Sequence, residues 1–211
     1  MVEVYYYIPA EQLDNALGCG IKLSSNYDME IEINGELKKC LTAYINPKDN
    51  MKKYNNPDFR CLKLRVLPKY CYVAEDFIYQ MKDSFTEALE NYKRTIIPIE
   101  KYIFGSYRLP VCLVTSTIIA DDISVLDKRL DSPVLYNNAE ELYLENLIES
   151  GREKYDGFND AMLYCFFSRL ADKGIVDCLE DYEKGMAVFL DKKGKVYGFR
   201  TPDLDSFIEG V

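Results

Sequence analysis

Lys48, Lys52, Lys53 and Arg65 share one stretch of the chain with Tyr44, Tyr54 and Phe59. Ammonium and guanidinium groups hold phosphate oxygens, and an aromatic ring beside them offers a face on which a base stacks. The same residues also make an ordinary solvated surface, since exposed lysines are common on any protein. Tyr107-Arg108 is a second place for chemistry. Its guanidinium suits a carboxylate or phosphate, and equally a structural ion pair with one of the chain's many acids. Thr115-Ser116-Thr117 offer hydroxyls, which a strand interior also accommodates. Glu140 and Glu141 are adjacent acids, but neighbours on a helix point about 100° apart, and at a first turn they complement the dipole and complete a cap.

The chain has no histidine among its 211 residues. That removes Ser-His-Asp and Cys-His nucleophile pairs, HExxH zinc sites and any imidazole general base. Seven cysteines without a CxxC pair read as free, mostly buried thiols, with neither a metal nor a redox role. A net charge of −9 argues against non-specific nucleic-acid binding. The charge is uneven: residues 38–69 hold nine basic side chains against Asp49 and Asp58, a local +7 that leaves −16 elsewhere. No segment approaches the roughly 18 apolar residues of a membrane span, and MVEVYYYIPAEQ lacks the basic flank and apolar core of a signal peptide. A cytoplasmic protein without a membrane partner is expected.

The elements that must position these residues centre on Val111 to Ile119, too continuously apolar for a half-wet strand and too β-branched for a comfortable helix. A central strand buried on both faces is expected, with Pro110 at its first position. Val2 to Ile8 reads as a first strand, followed by a short helix that ends at Gly18 or Gly20. Asn34-Gly35 marks a hairpin, in which a three-residue loop pairing Ile33 with Leu37 keeps more apolar residues together than a two-residue loop. Residues 45–59 read as a loop, and Arg60 to Leu67 as a strand with Leu62, Leu64 and Val66 inward. Phe77, Met81, Phe85, Leu89 and Tyr92 fit a helix. Asn138 caps another that Gly151 ends, Asn159 caps a third, and residues 186–199 form a last hairpin. The fold class expected is α+β, a mixed or antiparallel sheet around a buried strand with three to four helices, as one domain over 1–211.

Val4-Tyr5-Tyr6-Tyr7, the helix end at Gly20-Ile21-Lys22-Leu23, and Ala43-Tyr44-Ile45-Asn46-Pro47-Lys48-Asp49-Asn50-Met51 together resemble the opening of ADP-ribosyltransferase-like proteins. The likeness covers about the first 70 residues and is nearest to the branch that modifies DNA bases. It implies a split sheet that binds NAD, with a basic side chain after the Asn-Pro step near the cofactor and a glutamate on a later strand. Lys48 stands where an arginine is expected, and Leu109 to Val114 contains no glutamate. From residues and resemblance together, the ligand-binding set is Tyr44, Asn46, Lys48, Tyr54, Arg65, Tyr107 and Arg108, with no catalytic residue assigned. The expected partner is a small anionic or nucleotide ligand, NAD among them. The alternative is a non-enzymatic module for a protein partner or for self-association.

Overall fold

The computed structural model describes residues 1–84, 86–126 and 138–203. The fold is α+β. Read from sequence as one domain, the chain divides into two compact units, Met1–Leu144 and Glu145–Val211.

In the first unit, strands β1 (Val2–Pro9), β2 (Met29–Ile33), β3 (Glu36–Tyr44), β4 (Phe59–Val66), β5 (Cys71–Glu75), β6 (Ile97–Pro98), β7 (Pro110–Val114) and β8 (Ile123–Val125) make one sheet. Its order is β6-β5-β7-β3-β1-β4-β8, with β2 on β3, and every pairing is antiparallel. Alternation along the strands sends side chains to two cores. Val4, Ile8, Leu41, Ala43, Leu62, Leu64, Cys112 and Val114 pack with Ala16 of helix α1 (Leu13–Cys19). Cys40, Ala74, Val111 and Leu113 pack on the other face with Tyr92. All five residues of β7 are therefore buried, which accounts for its unbroken apolar run.

The strand ends at Val114 and not at Ile119. The N–H and hydroxyl of Thr115 both donate to the Tyr70 carbonyl, at 2.9 and 3.2 Å, and the chain leaves the β5 ladder there. Ile118 then exchanges both backbone bonds with Ile21, at 2.8 and 3.0 Å. Gly20 makes that bridge possible by closing α1 at φ +74°, with its N–H on the Ala16 carbonyl. A Cβ there would lie 2.4 Å from the Ile118 carbonyl oxygen. Gly20→Ala is expected to cost roughly 2 kcal/mol, read from urea unfolding; a cost within 0.5 kcal/mol would contradict this contact.

The hairpin takes the two-residue loop, with Ile33 opposite Glu36 and Ile31 opposite Lys38. Asn34 and Gly35 adopt φ of 55° and 79°, as a tight primed turn demands, and turn geometry outweighs side-chain matching. Lys38 is accommodated by Glu36 at 3.3 Å and the Tyr72 ring. Residues 45–59 are not irregular: a 3-10 turn over Pro47–Asn50 leads into α3 (Met51–Asn55), following the short α2 (Leu23–Asn26) earlier in the chain. The side chains of Asn46 and Asn50 cap these turns by accepting from the N–H groups of Lys48 and Lys53. The helix expected over Phe77 to Tyr92 is two helices, α4 (Asp76–Tyr79) and α5 (Ala88–Thr95), and Phe85 lies outside the described residues.

Helix α6 (Ala139–Lys154) begins after Asn138, whose side chain accepts from the Glu141 N–H at 2.9 Å. It runs through Gly151, which supplies space and no stop: a Cβ there would meet the Phe158 ring at 2.3 Å. In the second unit, α7 (Phe158–Asp172) packs on the antiparallel sheet β9 (Val176–Asp181), β10 (Met186–Asp191) and β11 (Val196–Arg200). Phe167 is central, with ring centroids of Tyr197 and Phe199 at 4.6 and 5.1 Å. Asn159 lies inside α7, and its side chain accepts from Arg152 instead of capping. Among the described residues, no helix is long and apolar enough to cross a membrane.

Candidate functional site

The central pairing of the sheet is incomplete. β1 follows β4 from Val2 opposite Val66 to Pro9 opposite Phe59, yet it meets β3 at one register pair, Tyr5 with Tyr44. A continued ladder would set Tyr6 against Ala43 and Tyr7 against Thr42. Instead the strands part, and among the described residues the edge of β1 facing β3 has no strand partner beyond Tyr5. The gap is a notch of about 300 Å³, lined by Tyr6 and Tyr7 from β1 and Thr42 and Tyr44 from β3. Asp28, Met29, Lys53, Asp76, Tyr79 and Val111 complete its walls.

Each wall residue is held by a local cause. Tyr7 donates its hydroxyl to the Pro47 carbonyl and meets the Tyr44 ring edge-on at 5.8 Å. The Tyr44 hydroxyl accepts from Asn50 Nδ2 at 2.7 Å. Burial is the main cause that pushes the Tyr6 and Tyr44 phenols up, and the Asp28 carboxylate raises both further. Both therefore stay neutral and keep an O–H. Lys53 stands over the Phe59 ring, 5.5 Å from its centroid.

A second cavity, of about 330 Å³, is lined by Lys48, Asp49, Asn50, Met51, Lys52, Leu109, Asn138 and Glu140. Two hydrogen bonds link residues of one lining to residues of the other: Asn50 to Tyr44, and the Asp76 N–H to the Leu109 carbonyl at 2.9 Å. The turn over Pro47–Asn50 and α3 divide the basic residues, with Lys53 lining the notch and Lys48 and Lys52 the second cavity.

Asp49 ties this turn to α6. Its Oδ1 accepts from the first N–H of α6, that of Ala139, at 2.8 Å, and its Oδ2 from the Asn46 N–H at 3.2 Å. Burial pushes its carboxyl from an ordinary 3.8 up to about 6, opposed in part by those two donors. The folded chain holds this proton more tightly than the unfolded chain does. Its contribution to stability is full below about pH 4 and is lost as the pH rises through about 6. Between pH 4 and pH 7 the wild type is expected to lose about 2 kcal/mol relative to Asp49→Asn in urea unfolding. A gap that does not change with pH would contradict the assignment.

The residues singled out from sequence are not brought to one place. Tyr44 lines the notch and Lys48 the second cavity. Asn46 lines neither and is a buried cap, its side chain committed to the Lys48 N–H. Tyr54 packs with Tyr5, Tyr7 and Cys61. Arg65 stands opposite Glu3, toward the other end of β1, and binds Asp122 at 3.1 Å and the Asp121 carbonyl at 3.0 Å. Tyr107 donates to the Thr95 carbonyl at 2.7 Å. Arg108 is paired with Glu140, through Nε at 2.7 Å, and lies over the Phe77 ring. Of the hydroxyl run, Thr115 is committed to Tyr70, and Thr117 accepts from the Leu23 N–H at 3.1 Å. The five residues of β7 include no carboxylate.

Sequence reasoning missed Tyr6, Asp28, Thr42, Asp76 and Tyr79, which the pairing of strands gathers from four separate segments. The triple tyrosine of β1 was the available signal, since three successive phenols put at least one on each face of a strand. Comparison with family models, with curated proteins and with solved structures gives no match to this chain.

Proposed function

We propose that this protein binds a nucleotide-like ligand, with its ring and sugar in the notch between β1 and β3 and its phosphates toward Lys48 and Lys52. The observation that carries the reading is the parting of β1 from β3 after the Tyr5–Tyr44 pair, which leaves a polar, tyrosine-walled cavity, with Lys48 and Lys52 lining a second one. A notch of about 300 Å³ lies at the small end of ligand pockets, the right scale for a ring and a sugar. Tyr6, Tyr44 and Tyr79 supply aromatic walls, and Lys48 and Lys52 supply point charges for phosphate oxygens. The ADP-ribosyltransferase-like resemblance implies a split sheet and NAD, which makes NAD the first ligand to test. With no carboxylate on β7, the proposal is of binding, and no transfer step is assigned.

Thermal unfolding with NAD, ADP-ribose and AMP at low and high salt tests it. At a hundred times Kd a ligand stabilises by about 2.7 kcal/mol, and the gain should shrink with salt because the phosphate contacts are exposed. An unchanged midpoint with all three ligands at both salts would overturn the reading.

The second reading, a protein partner or self-association, is favoured by one observation. Leu179, Met186 and Val196 are exposed on the strands of the second unit, on the side away from the Phe167 cluster. Sedimentation at rising concentration tests self-association, and a monomer throughout would contradict it.

A further inference from the structure

Resting on the nucleotide reading, we infer that the notch selects ribose over deoxyribose, with Asp28 and Asp76 accepting hydrogen bonds from the two adjacent hydroxyls of the sugar.

Asp28 precedes β2 and is oriented by one oxygen. Its Oδ1 accepts from both the N–H and the hydroxyl of Thr42, at 3.0 and 2.7 Å. Asp76 opens α4, and its Oδ2 accepts from Gln80 Nε2 at 2.7 Å. In each carboxylate the second oxygen makes no hydrogen bond among those found between described residues, and both side chains line the same cavity. The protein thus fixes two acceptors and leaves one lone-pair-bearing oxygen of each for a guest.

Carboxylates only accept, so the guest must donate. A phosphate has no donor to offer them, whereas Lys48 and Lys52 offer it donors in the second cavity, beside Asp49 and Glu140 of the same lining. A ribose presents two neighbouring O–H donors, a 2′-deoxyribose or 3′-deoxyribose one. Asp28 is exposed and Asp76 half-buried, so a ligand that covers them and lacks one hydroxyl leaves an acceptor whose lost bond water replaces only in part. Tyrosine walls hold the flat face of a base or nicotinamide while the sugar edge meets the acids.

Calorimetric titration of the protein with AMP, 2′-deoxy-AMP and 3′-deoxy-AMP is the test. AMP is expected to bind about 10- to 100-fold more tightly than either deoxy form. Asp28→Asn and Asp76→Asn should weaken AMP by a similar factor and bring the ratio toward one. In Asp28→Asn the amide oxygen retains the acceptor for Thr42, and the three ligands on the wild type decide the matter even if a variant fails to fold. Equal affinity for the three overturns the inference and leaves nucleotide binding standing. No binding of AMP in any form also overturns it, while the NAD titration reports separately on the reading beneath it.

Discussion

Glu75→Ala is expected to lower the unfolding free energy by roughly 3 kcal/mol, with loss of order where β7 begins. Glu75 is 8% exposed, and its carboxylate accepts from three backbone donors: Arg108 N–H at 2.6 Å, Leu109 N–H at 2.8 Å and Phe77 N–H at 3.3 Å. Its own N–H donates to the Thr95 hydroxyl at 3.1 Å. One side chain therefore fastens the entrance of β7 to the end of β5 and caps α4. Alanine leaves partly buried donors without a partner, each worth about 1–3 kcal/mol, with water recovering some of the loss at the exposed Phe77. Glu75→Gln keeps one acceptor and should lose about half as much. Urea unfolding measures both, and Glu75→Ala within 1 kcal/mol of the wild type would show that the carboxylate does not hold the strand.

The second large effect concerns the ligand. Tyr44→Ala is expected to weaken NAD by about 30-fold, because base or nicotinamide stacking on an aromatic ring contributes about 1–3 kcal/mol. It also frees Asn50, whose Nδ2 donates to the phenol. Tyr44→Phe keeps the ring and loses only that bond, so about a fivefold loss is expected. The pair separates the wall from the anchor, and calorimetry reads both. NAD affinity unchanged in Tyr44→Ala would place the ligand elsewhere.

Much of the scaffold was legible in the residues. The apolar run at Val111, the alternation of Leu62, Leu64 and Val66, and the glycine end of the first helix each express a local period or a single backbone requirement. Where the reading slipped, a longer-range or sterically stronger cause prevailed. The Asn34-Gly35 turn imposed its two-residue geometry over the better apolar match, and Ile118 left the strand to bridge Ile21. Asn46 and Asn50, which read as loop residues, cap the turns that order residues 47–55. Gly151 read as a helix stop because nothing local announces the Phe158 ring that needs its space.

The candidate site was far less legible. Lys48, Arg65 and Arg108 were all candidates for an anion, with a structural ion pair the other reading of Arg108, and Arg65 and Arg108 are paired with Asp122 and Glu140, residues distant in sequence that no local pattern names. Asp28 and Asp76 carry no motif and face one cavity only because the β2–β3 hairpin and the start of α4 deliver them there. A gap between two strands has no composition of its own. It exists because the β1–β3 ladder stops at one pair, which no periodicity within either strand encodes.

Backbone amide spectra of the labelled protein recorded as NAD is added test the central claim most directly. Binding in the notch predicts that the signals of Tyr6, Tyr7, Thr42, Tyr44, Lys53 and Asp76 move together and saturate, with Lys48 and Lys52 following. Spectra that do not change at millimolar NAD, or changes confined to residues away from the parted edges of β1 and β3, would contradict it.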